Sequence, residues 1–484
     1  MQLSLQEISA TLGAANSDSS LTVAKGYSID SRTITAGECF FAVRGPRFDG
    51  HEFVRAALDS GACAAVIASE KLNEYPQELR DRLIAVPDPA LGLQRLAAHV
   101  RRKWAGPVVA ITGSTGKTTT KQMISSLLST RFRVHQNEGN LNNQFGLPLS
   151  LLKLESESQI GVFELGMSAA GEIRFLSSLA RPDVGVVTNV GEAHLEFFSS
   201  IEEIAEAKFE LIDSLDSAAW AVLNADDYRV SGFGPLARAQ VIYYGTNQDA
   251  NVKAREIKPI ATGGYRFRLP VAPMKDIPCG AVWNGHKGGP PPASGKPRDA
   301  VFHLPLLGRH NISNVLAAAA VCRLFGIEPE TLEQAVSELQ PVPMRGEVTA
   351  LANGARVVLD CYNSSPTALE AMLEAVAELP AQRRIAVLGG MKELGESSAA
   401  LHFRCGERVQ QVGINHLIVV GEDARPLRDG AVAAGMATNA VEMAQTPEEA
   451  GERLRGMLGA GDVALLKASR AVRLERVWEI IKSN

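Results

Sequence analysis

The chain has 484 residues, which is too long for one hydrophobic core and favours several domains, of which we expect three. Its formal net charge of -5 and its pI near 6.1 give no basic surface for nucleic acid, so small-molecule partners are favoured. No signal sequence and no apolar run near the ~20 residues that span a bilayer is found, and six scattered cysteines lack zinc-site spacing. We therefore expect a cytoplasmic protein without membrane insertion.

The first part of the chain has the pattern of a small α/β domain. Short strand-like and helical segments alternate between residues 27 and 69, with a helix after His51 and a strand over Ala64–Ala68. Polar clusters at residues 30–32 and 49–51 lie in the predicted turns. Taken alone, these clusters are more readily loop caps than binding residues.

The most informative stretch is a glycine-rich turn between an apolar run at 108–111 and a helical segment. It consists of Gly113, Ser114, Thr115, Gly116, Lys117, Thr118 and Thr119. Such a turn directs several N–H groups and the positive end of a helix dipole at one point, and Lys117 adds a cation. Ile111 stands at the first glycine position of the full P-loop, so only the short form is met and an ordinary strand–helix turn stays an alternative. We expect a phosphate-binding site, with Thr118 placed to offer its hydroxyl to magnesium.

Polar side chains follow the strands of the next segment. Strands and helices alternate from Pro107 to about Ala335, which predicts a largely parallel sheet with ligands at the carboxyl ends of its strands. The predicted strand 160–163 ends on Glu164, whose carboxylate can hold magnesium beside a phosphate loop or cap the following turn. Asn142 and Asn143 lie in an asparagine-rich turn, where amides serve equally as ligand contacts and as caps.

A lysine on the inward face of a predicted helix is the next unusual feature. In the segment 201–212, the helical period places Lys208 on the apolar stripe, whereas Glu202, Glu203 and Glu206 face water. A buried lysine is costly unless it is paired, neutral or modified, although a lysine at the edge of the stripe could extend to solvent. His194, in the loop before this helix, has no role that the residues alone assign.

The remaining chain contains an insertion, a helix and a third domain. Residues 279–297 are rich in glycine and proline, and predict a mobile surface insertion without chemistry. Asn311 and Asn314 share one face at the start of a strong helix, where their amides could contact a base edge or act as caps. From about residue 336 the β/α alternation starts again, with predicted buried strands over 356–359, 384–388, 416–420 and 463–466. Polar clusters follow at the strand ends, over residues 360–363, 389–395 and 467–470.

An ordered set of motifs resembles the Mur ligase family. The set comprises ITGSTGKTTT, NLNN with FGLP, ELGM with GEI, TNVGEAHLE, EAKFEL, LNADD, GRHNISN, MRG, DCYNSSP and LGGMKELG, preceded by DSR, AVRG and DGH. The resemblance covers most of the chain, and the Y-N-x-x-P and M-x-E-L-G elements are those of the family member that adds a dipeptide. The pattern departs from the family at Leu359 and Gly390, where aspartates are usual, and NSSP replaces NANP.

The resemblance implies an α/β fold of three domains. These are a UDP-substrate-binding domain over residues 1–106, a central ATP-binding P-loop domain with a parallel sheet over 107–335, and a C-terminal Rossmann-like ligase domain over 336–484. It also implies a reaction: ATP phosphorylates the terminal carboxylate of a UDP-linked muramoyl tripeptide, and the amine of D-alanyl-D-alanine attacks the acyl phosphate. This is a step of peptidoglycan synthesis, and whether the tripeptide carries diaminopimelate or lysine stays open.

The resemblance assigns roles to individual residues. It implies that the catalytic residues are Lys117, Glu164, His194 and Lys208. It implies that magnesium is bound by Thr118, Glu164, His194 and a Lys208 carbamoylated by carbon dioxide. ATP is expected to bind the turn 113–119 together with Asn311, Asn314, Arg345 and Asp360. The peptide and UDP substrates are expected to bind Ser31, Arg32, Arg44, Asn142, Asn143, Tyr362 and Asn363.

Two other functions compete with this one. Another amide ligase of the superfamily, such as a folylpolyglutamate synthetase, would share the catalytic centre but have no use for a UDP-binding domain. A nucleotide switch that uses the P-loop without ligation is the second alternative, although it gives Lys208 and His194 no role. We expect a monomer whose substrates are small molecules.

Overall fold

The computed structural model of the chain describes residues 1–14, 22–45, 48–260, 263–270 and 298–482. The predicted insertion at 279–297 lies outside these residues. Residue contacts divide the chain into two compact units. The first unit comprises Met1–Ala110, Arg131–Met167 and Gly171–Asp183, and the second comprises Ile111–Thr130, Ser168–Ala170 and Val184–Asn484. This division does not follow the domain boundaries predicted at residues 106 and 335, which stay predictions.

Strands and helices alternate along most of the described chain. The strands are β1 (Leu3–Ser4), β2 (Val23–Ala24), β3 (Gly26–Ser28), β4 (Glu38–Phe41), β5 (Ala64–Ala68), β6 (Leu83–Val86), β7 (Val108–Thr112), β8 (Val134–Gln136), β9 (Ile160–Glu164), β10 (Val184–Val187), β11 (Trp220–Asn224), β12 (Gln240–Gly245), β13 (Val252–Lys253), β14 (Arg255–Pro259), β15 (Tyr265–Leu269), β16 (Ala300–Leu304), β17 (Glu347–Ala350), β18 (Arg356–Leu359), β19 (Arg384–Gly389), β20 (His416–Val420), β21 (Val441–Ala444) and β22 (Val463–Lys467). The α-helices are α1 (Leu5–Leu12), α2 (Val54–Asp59), α3 (Gln77–Arg80), α4 (Pro89–Trp104), α5 (Lys117–Leu128), α6 (Gly146–Leu152), α7 (Glu172–Ala180), α8 (Ile201–Asp213), α9 (Tyr228–Ser231), α10 (His310–Leu324), α11 (Glu333–Ser337), α12 (Pro366–Glu378), α13 (Ser398–Gln411), α14 (Arg425–Ala433), α15 (Pro447–Met457) and α16 (Glu475–Ile481). None of the helices found in the described ranges is both long and apolar enough to cross a bilayer.

The first unit contains a four-stranded parallel sheet. Strands β3, β4, β5 and β6 lie side by side in chain order, and every residue of β5 and β6 is buried. Helix α4 follows; its first turn is capped by Asp88, whose carboxylate accepts from the N–H groups of Ala90 and Leu91. Strands β8 and β9 form a further parallel pair, and the N–H of Gly161 in β9 donates to the carbonyl of Pro107 just before β7.

The second unit begins at the end of β7 and contains two large sheets. Strands β10, β11, β12 and β13 pair in parallel in chain order, and the N–H of Thr188, after β10, donates to the carbonyl of Thr112 in β7. Helix α10 packs against α5. The other large sheet has the order β17-β18-β22-β19-β20-β21, in which only β17 is antiparallel to its neighbour.

Central strands that are buried on both faces of the sheet are the ones that the sequence predicts, because they have continuous apolar runs. The strands predicted near residues 356, 384, 416 and 463 are confirmed as β18, β19, β20 and β22, whose apolar residues are almost all buried. The edge strands β17 and β21 were not predicted. They include partly or fully exposed residues and therefore lack the continuous apolar run of a central strand.

Two glycines let α13 and α14 approach each other closely. A Cβ atom on Gly406 of α13 would lie 2.1 Å from the carbonyl oxygen of Leu427, and one on Gly430 of α14 would lie 2.0 Å from that of Phe403. Both obstacles are backbone atoms of a packed helix, so neither can move alone. Only glycine fits at these two positions.

Gly430→Ala should therefore destabilise the protein, because the added methyl must push two helices apart, at a cost of about 1–3 kcal/mol or more. Gly456→Ala is the matched control: it also lies in a helix, but no atom comes within 4 Å of its added Cβ. That control should gain roughly 0.5–1 kcal/mol from helix propensity. Thermal unfolding of both variants and the parent measures the difference, and equal midpoints for the two variants would contradict the packing argument.

Candidate active site

The glycine-rich turn between β7 and α5 is hydrogen-bonded to the loop that follows β10. The N–H of Ser114 donates to the carbonyl of Asn189 at 2.9 Å, and the N–H of Thr115 donates to the side-chain oxygen of Asn189 at 2.9 Å. The Lys117 ammonium donates to the carbonyl oxygens of Gly113 at 2.6 Å and Ser114 at 3.3 Å. The turn therefore presents a helix N-terminus and a folded-back cation in a fixed arrangement, which suits a phosphate.

The first turn of α5 carries the hydroxyl groups that the sequence assigned to nucleotide binding. Thr118 and Thr119 are partly exposed, whereas Thr120 is fully buried. Gly116, at the start of the helix, is also partly exposed. A ligand at the helix N-terminus can therefore reach these groups, while Thr120 belongs to the core.

Lys208 is buried, as its place on the apolar stripe of α8 predicted. Its residue surface is 1% exposed, and in the part of the chain that the structure describes its ammonium makes no hydrogen bond or ion pair. Burial lowers the pKa of Lys208 well below its ordinary value, and the charge of Lys117 lowers it further. Burial therefore favours the neutral form of the amine, which is its nucleophilic form. The repulsion also shows that Lys208 and Lys117 are close enough to interact.

His194 contacts an acid that the sequence did not single out as a site residue. Its Nδ1 atom lies 2.6 Å from Oε2 of Glu393, in the loop after β19. The interaction with His194 is the main cause that lowers the pKa of Glu393, and the charge of Lys117 acts in the same direction. Lys117, Lys208, His194 and Glu393 are thus connected within the second unit. In the sequence, Glu393 is marked only by its place in the LGGMKELG motif.

Glu164 and Asn142 lie together in the first unit. Glu164, at the end of β9, is 3% exposed, and its Oε1 atom accepts from the side-chain amide of Asn142 at 2.8 Å. Asn137, which sequence reasoning missed, accepts from the N–H of Glu164 at 2.9 Å and donates to its carbonyl at 3.2 Å. The side-chain oxygen of Asn143 instead accepts from the N–H groups of Phe145 and Gly146, at the start of α6. Asn142 therefore supports the carboxylate, and Asn143 is a cap.

The two asparagines of α10 form a buried chain of hydrogen bonds. Thr120 donates to Asn314 at 3.1 Å, Asn314 donates to Asn311 at 3.0 Å, and Asn311 donates to the carbonyl of Leu307 at 2.8 Å. The predicted shared face is confirmed. The chain fastens α10 to α5, the helix that begins at the phosphate-binding turn.

Four predicted residues that flank β17 and β18 make contacts within the second unit. The guanidinium of Arg345 lies 4.4 Å from the ring centre of Tyr362. The carboxylate of Asp360 accepts from Lys467 at 2.5 Å, and Lys467 also donates to the carbonyl of Asn363 at 3.1 Å. Lys467 is 2% exposed, so it fixes both residues from inside. The sequence named residues 467–470 as a polar cluster but gave Lys467 no role.

The residues predicted for the UDP end occupy turns of the first unit. Arg32 is exposed and its Nη2 atom lies 2.7 Å from a carboxylate oxygen of Asp30. Arg44 pairs with Asp49 at 3.3 Å and with Glu70 at 2.9 Å. Ser31 is partly exposed in the same turn as Arg32. Both guanidinium groups are oriented by acids and keep donors exposed to solvent.

The predicted magnesium ligands can be judged by the atoms that their side chains offer. Within the described ranges, no group of three or more His, Cys, Asp or Glu side chains is placed to hold a metal ion. The predicted set of Thr118, Glu164, His194 and Lys208 contains one carboxylate and one imidazole, whereas magnesium prefers oxygen. Glu164 lies in the first unit and the other three residues lie in the second, and Lys208 could offer oxygen ligands only after modification of its buried amine.

Comparison with known proteins gives the same three-part order along the chain. Three family models match in succession: "Mur ligase family, catalytic domain" over residues 23–101, "Mur ligase middle domain" over 111–322 and "Mur ligase, glutamate ligase domain" over 344–470. The predicted α/β fold of three domains is thereby confirmed. The UDP-N-acetylmuramoyl-tripeptide–D-alanyl-D-alanine ligase of Bacillus subtilis (strain 168) is 32% identical, over 96% of this chain and 94% of its own length.

Solved structures agree with the sequence matches. A crystal structure of MurF from Acinetobacter baumannii superposes with a TM-score of 0.84 at 26% identity, covering 100% of this chain and 99% of that one. The MurF ligase of Thermotoga maritima in complex with ADP superposes with a TM-score of 0.79 at 30% identity, covering 95% of this chain and 97% of that one. The similarity therefore extends over the whole chain.

The buried chain through Asn314 can be tested by stability. Asn314→Ala should lower the free energy of unfolding by about 1–3 kcal/mol, because the buried groups of Thr120 and Asn311 lose a partner. Asn73→Ala, at an exposed position, is the control and should change stability little. Thermal unfolding measures both variants, and an Asn314→Ala midpoint equal to that of the control would contradict the anchoring role.

Proposed function

The chain belongs to the Mur ligase family, in which it is of the MurF type, and from this premise we propose that it joins D-alanyl-D-alanine to UDP-N-acetylmuramoyl-tripeptide with ATP as the phosphoryl donor. The substrates are those named for the Bacillus subtilis relative. The structural observation that carries the proposal is the buried, unpaired Lys208 within reach of the charge of Lys117. A protein that only bound and hydrolysed a nucleotide would have no use for this second lysine.

The residues of the phosphate-binding turn promote the first step. The N–H groups of 113–119 and the Lys117 ammonium hold the β- and γ-phosphates, and their positive charge lets the anionic carboxylate of the tripeptide approach. A carboxylate oxygen attacks the γ-phosphorus, the bond to the β-phosphate oxygen breaks, and ADP leaves. The amine of D-alanyl-D-alanine then attacks the acyl carbon and loses a proton, and inorganic phosphate leaves.

Lys208 would act after reaction with carbon dioxide. Its neutral amine attacks the carbon of CO2 and releases one proton, so a group that is a cation in water becomes an anionic carbamate. Together with Thr118, Glu164 and His194, the carbamate oxygens would hold magnesium. Magnesium, when bound, would neutralise charge on the transferred phosphoryl group.

The nucleotide contacts use residues that the structure already orders. Asn311 and Asn314 would contact adenine. Each side-chain amide would donate the hydrogen that its bond to Leu307 or to Asn311 does not use. Arg345, stacked on Tyr362, would contact the phosphates. Asp360 would accept from a ribose hydroxyl on the carboxylate oxygen that does not bind Lys467.

The remaining substrate contacts come from turns. Ser31, Arg32 and Arg44 would hold the UDP end, where guanidinium donors fit pyrophosphate oxygens. Asn142, Asn143, Tyr362 and Asn363 would contact the peptides. The protein would work as a monomer in the cytoplasm, on small molecules, without nucleic acid or membrane insertion.

Release of inorganic phosphate tests the reaction. Phosphate should appear only when ATP, D-alanyl-D-alanine and a UDP-tripeptide are all present, and comparing the lysine and diaminopimelate tripeptides identifies the natural one. Lys117→Ala should abolish release, because the cation at the phosphates is lost, and yet should bind the UDP-tripeptide. Lys153→Ala, an exposed lysine, is the matched control. Phosphate release that ignores both peptides would indicate a nucleotide switch, and failure to bind UDP-tripeptides would favour a folylpolyglutamate-type ligase.

Modification of Lys208 gives a second, independent prediction. After incubation with 13C-bicarbonate, the parent should show a carbamate 13C signal that Lys208→Ala lacks. Lys208→Ala should be nearly inactive, and short carboxylates such as acetate should restore part of its activity by replacing the carbamate oxygens. Lys153→Ala again serves as the control in both measurements. An unmodified amine in the parent, together with ordinary activity of Lys208→Ala, would contradict the assignment.

A further inference from the structure

Two residues with unusual backbone conformations meet at the catalytic centre. His194 has φ 62° and Glu393 has φ 63°, a left-handed region that non-glycine residues seldom occupy. Each such residue costs free energy and persists only where its surroundings impose the conformation. The two side chains come together, with Nδ1 of His194 at 2.6 Å from Oε2 of Glu393. Both residues of this one contact therefore adopt the left-handed conformation.

The loop that carries His194 is fastened to the sheet of β17–β22. Leu195 packs against the apolar cluster formed by that sheet and its helices, and Glu192 pairs with Arg404 of α13. The N–H of Glu196 donates to the carbonyl of Glu393 at 3.1 Å. An apolar contact, an ion pair and a backbone hydrogen bond thus hold loop 192–197 against the segment 391–395.

The backbones of the two segments approach closely at Gly395. A Cβ atom on Gly395, whose φ is +56°, would lie 3.2 Å from Cα of Glu196 and 3.3 Å from the carbonyl oxygen of Leu195. Such separations are tighter than ordinary contacts. The sequence of segment 391–395 therefore suits docking against loop 192–197.

Glu393 is the acid available to the His194 ring. Nδ1 of His194 is buried and forms no hydrogen bond of regular geometry in the described ranges of the chain, but it lies at ion-pair distance, 2.6 Å, from Oε2 of Glu393. A carboxylate at this distance favours a proton on Nδ1 and leaves the lone pair on Nε2, as carboxylates behind functional histidines do. Lys117 interacts electrostatically with Glu393, so the same carboxylate faces the phosphate-binding turn.

We propose that Glu393 is a positioning residue that holds the His194 ring in its Nδ1–H tautomer, so that the ring is set for reaction only when segment 391–395 is docked on loop 192–197. This would link the arrangement of the β17–β22 sheet to the chemistry at the phosphate-binding turn. Its effect on turnover rests on the proposed ligase function, whereas the tautomer of His194 does not.

The test compares Glu393→Ala with Glu396→Ala, which removes an exposed acid from the same loop. In spectra of protein labelled with 15N-histidine, His194→Gln identifies the His194 signals. The parent and Glu396→Ala should show the Nδ1–H tautomer, and Glu393→Ala should shift toward Nε2–H. Glu393→Gln retains an acceptor oxygen and should keep more of the Nδ1–H form than Glu393→Ala.

Kinetics provide the second readout. Glu393→Ala should lower kcat by about 10- to 100-fold, as removal of a carboxylate behind a functional histidine does, with little change in KM for the UDP-tripeptide. Glu393→Gln should recover part of kcat. An unchanged tautomer in a folded Glu393→Ala protein, or a kcat equal to that of Glu396→Ala, would overturn the proposal. Failure of the parent to ligate would refute the function, while the spectra would still decide the role of Glu393.

Discussion

A phosphate-binding turn works only when its N–H groups already point at the place where the phosphate will lie, because ordering them on binding would weaken both affinity and catalysis. Here the turn is fixed by residues distant in sequence. Asn189 accepts from Thr115, and Thr188 donates to the Thr115 carbonyl at 2.6 Å. Asn314 ties the following helix to α10 through Thr120. The loop after β10 and the start of α10 thereby become parts of the same centre.

Charge is the second constraint on this centre. A site that receives ATP and a carboxylate needs cations, yet two neighbouring lysines repel each other and a buried one loses its hydration. The structure separates their tasks. Lys117 remains partly exposed and donates to the turn, whereas Lys208 is enclosed and its pKa is strongly lowered. The partly exposed lysine is available to phosphates, whereas burial favours the neutral amine of the other.

Another buried lysine, Lys467, joins strand ends of the β17–β22 sheet. Lys467 binds Asp360 and the carbonyl of Asn363, and so joins the end of β22 to the loop after β18. The hydroxyl of Ser469 accepts from the N–H of Lys392, in the loop after β19. Three neighbouring strand ends are thus held together, which is where parallel sheets gather their ligands. Glu393 reaches His194 from this group of loops.

The sequence by itself determined the local structures: β7, the glycine-rich turn and α5, the strand β9 ending on Glu164, and the helix that turns Lys208 inward. Each depends on a period or spacing of a few residues, which the order of amino acids contains. Asn137, Asn189, Glu393 and Lys467 were decided only by the tertiary structure. Their partners lie in other loops, and no spacing along the chain states which loops meet at a sheet edge. A single polar residue after a strand looks the same whether it caps a turn or supports a catalytic group, and packing alone separates the two.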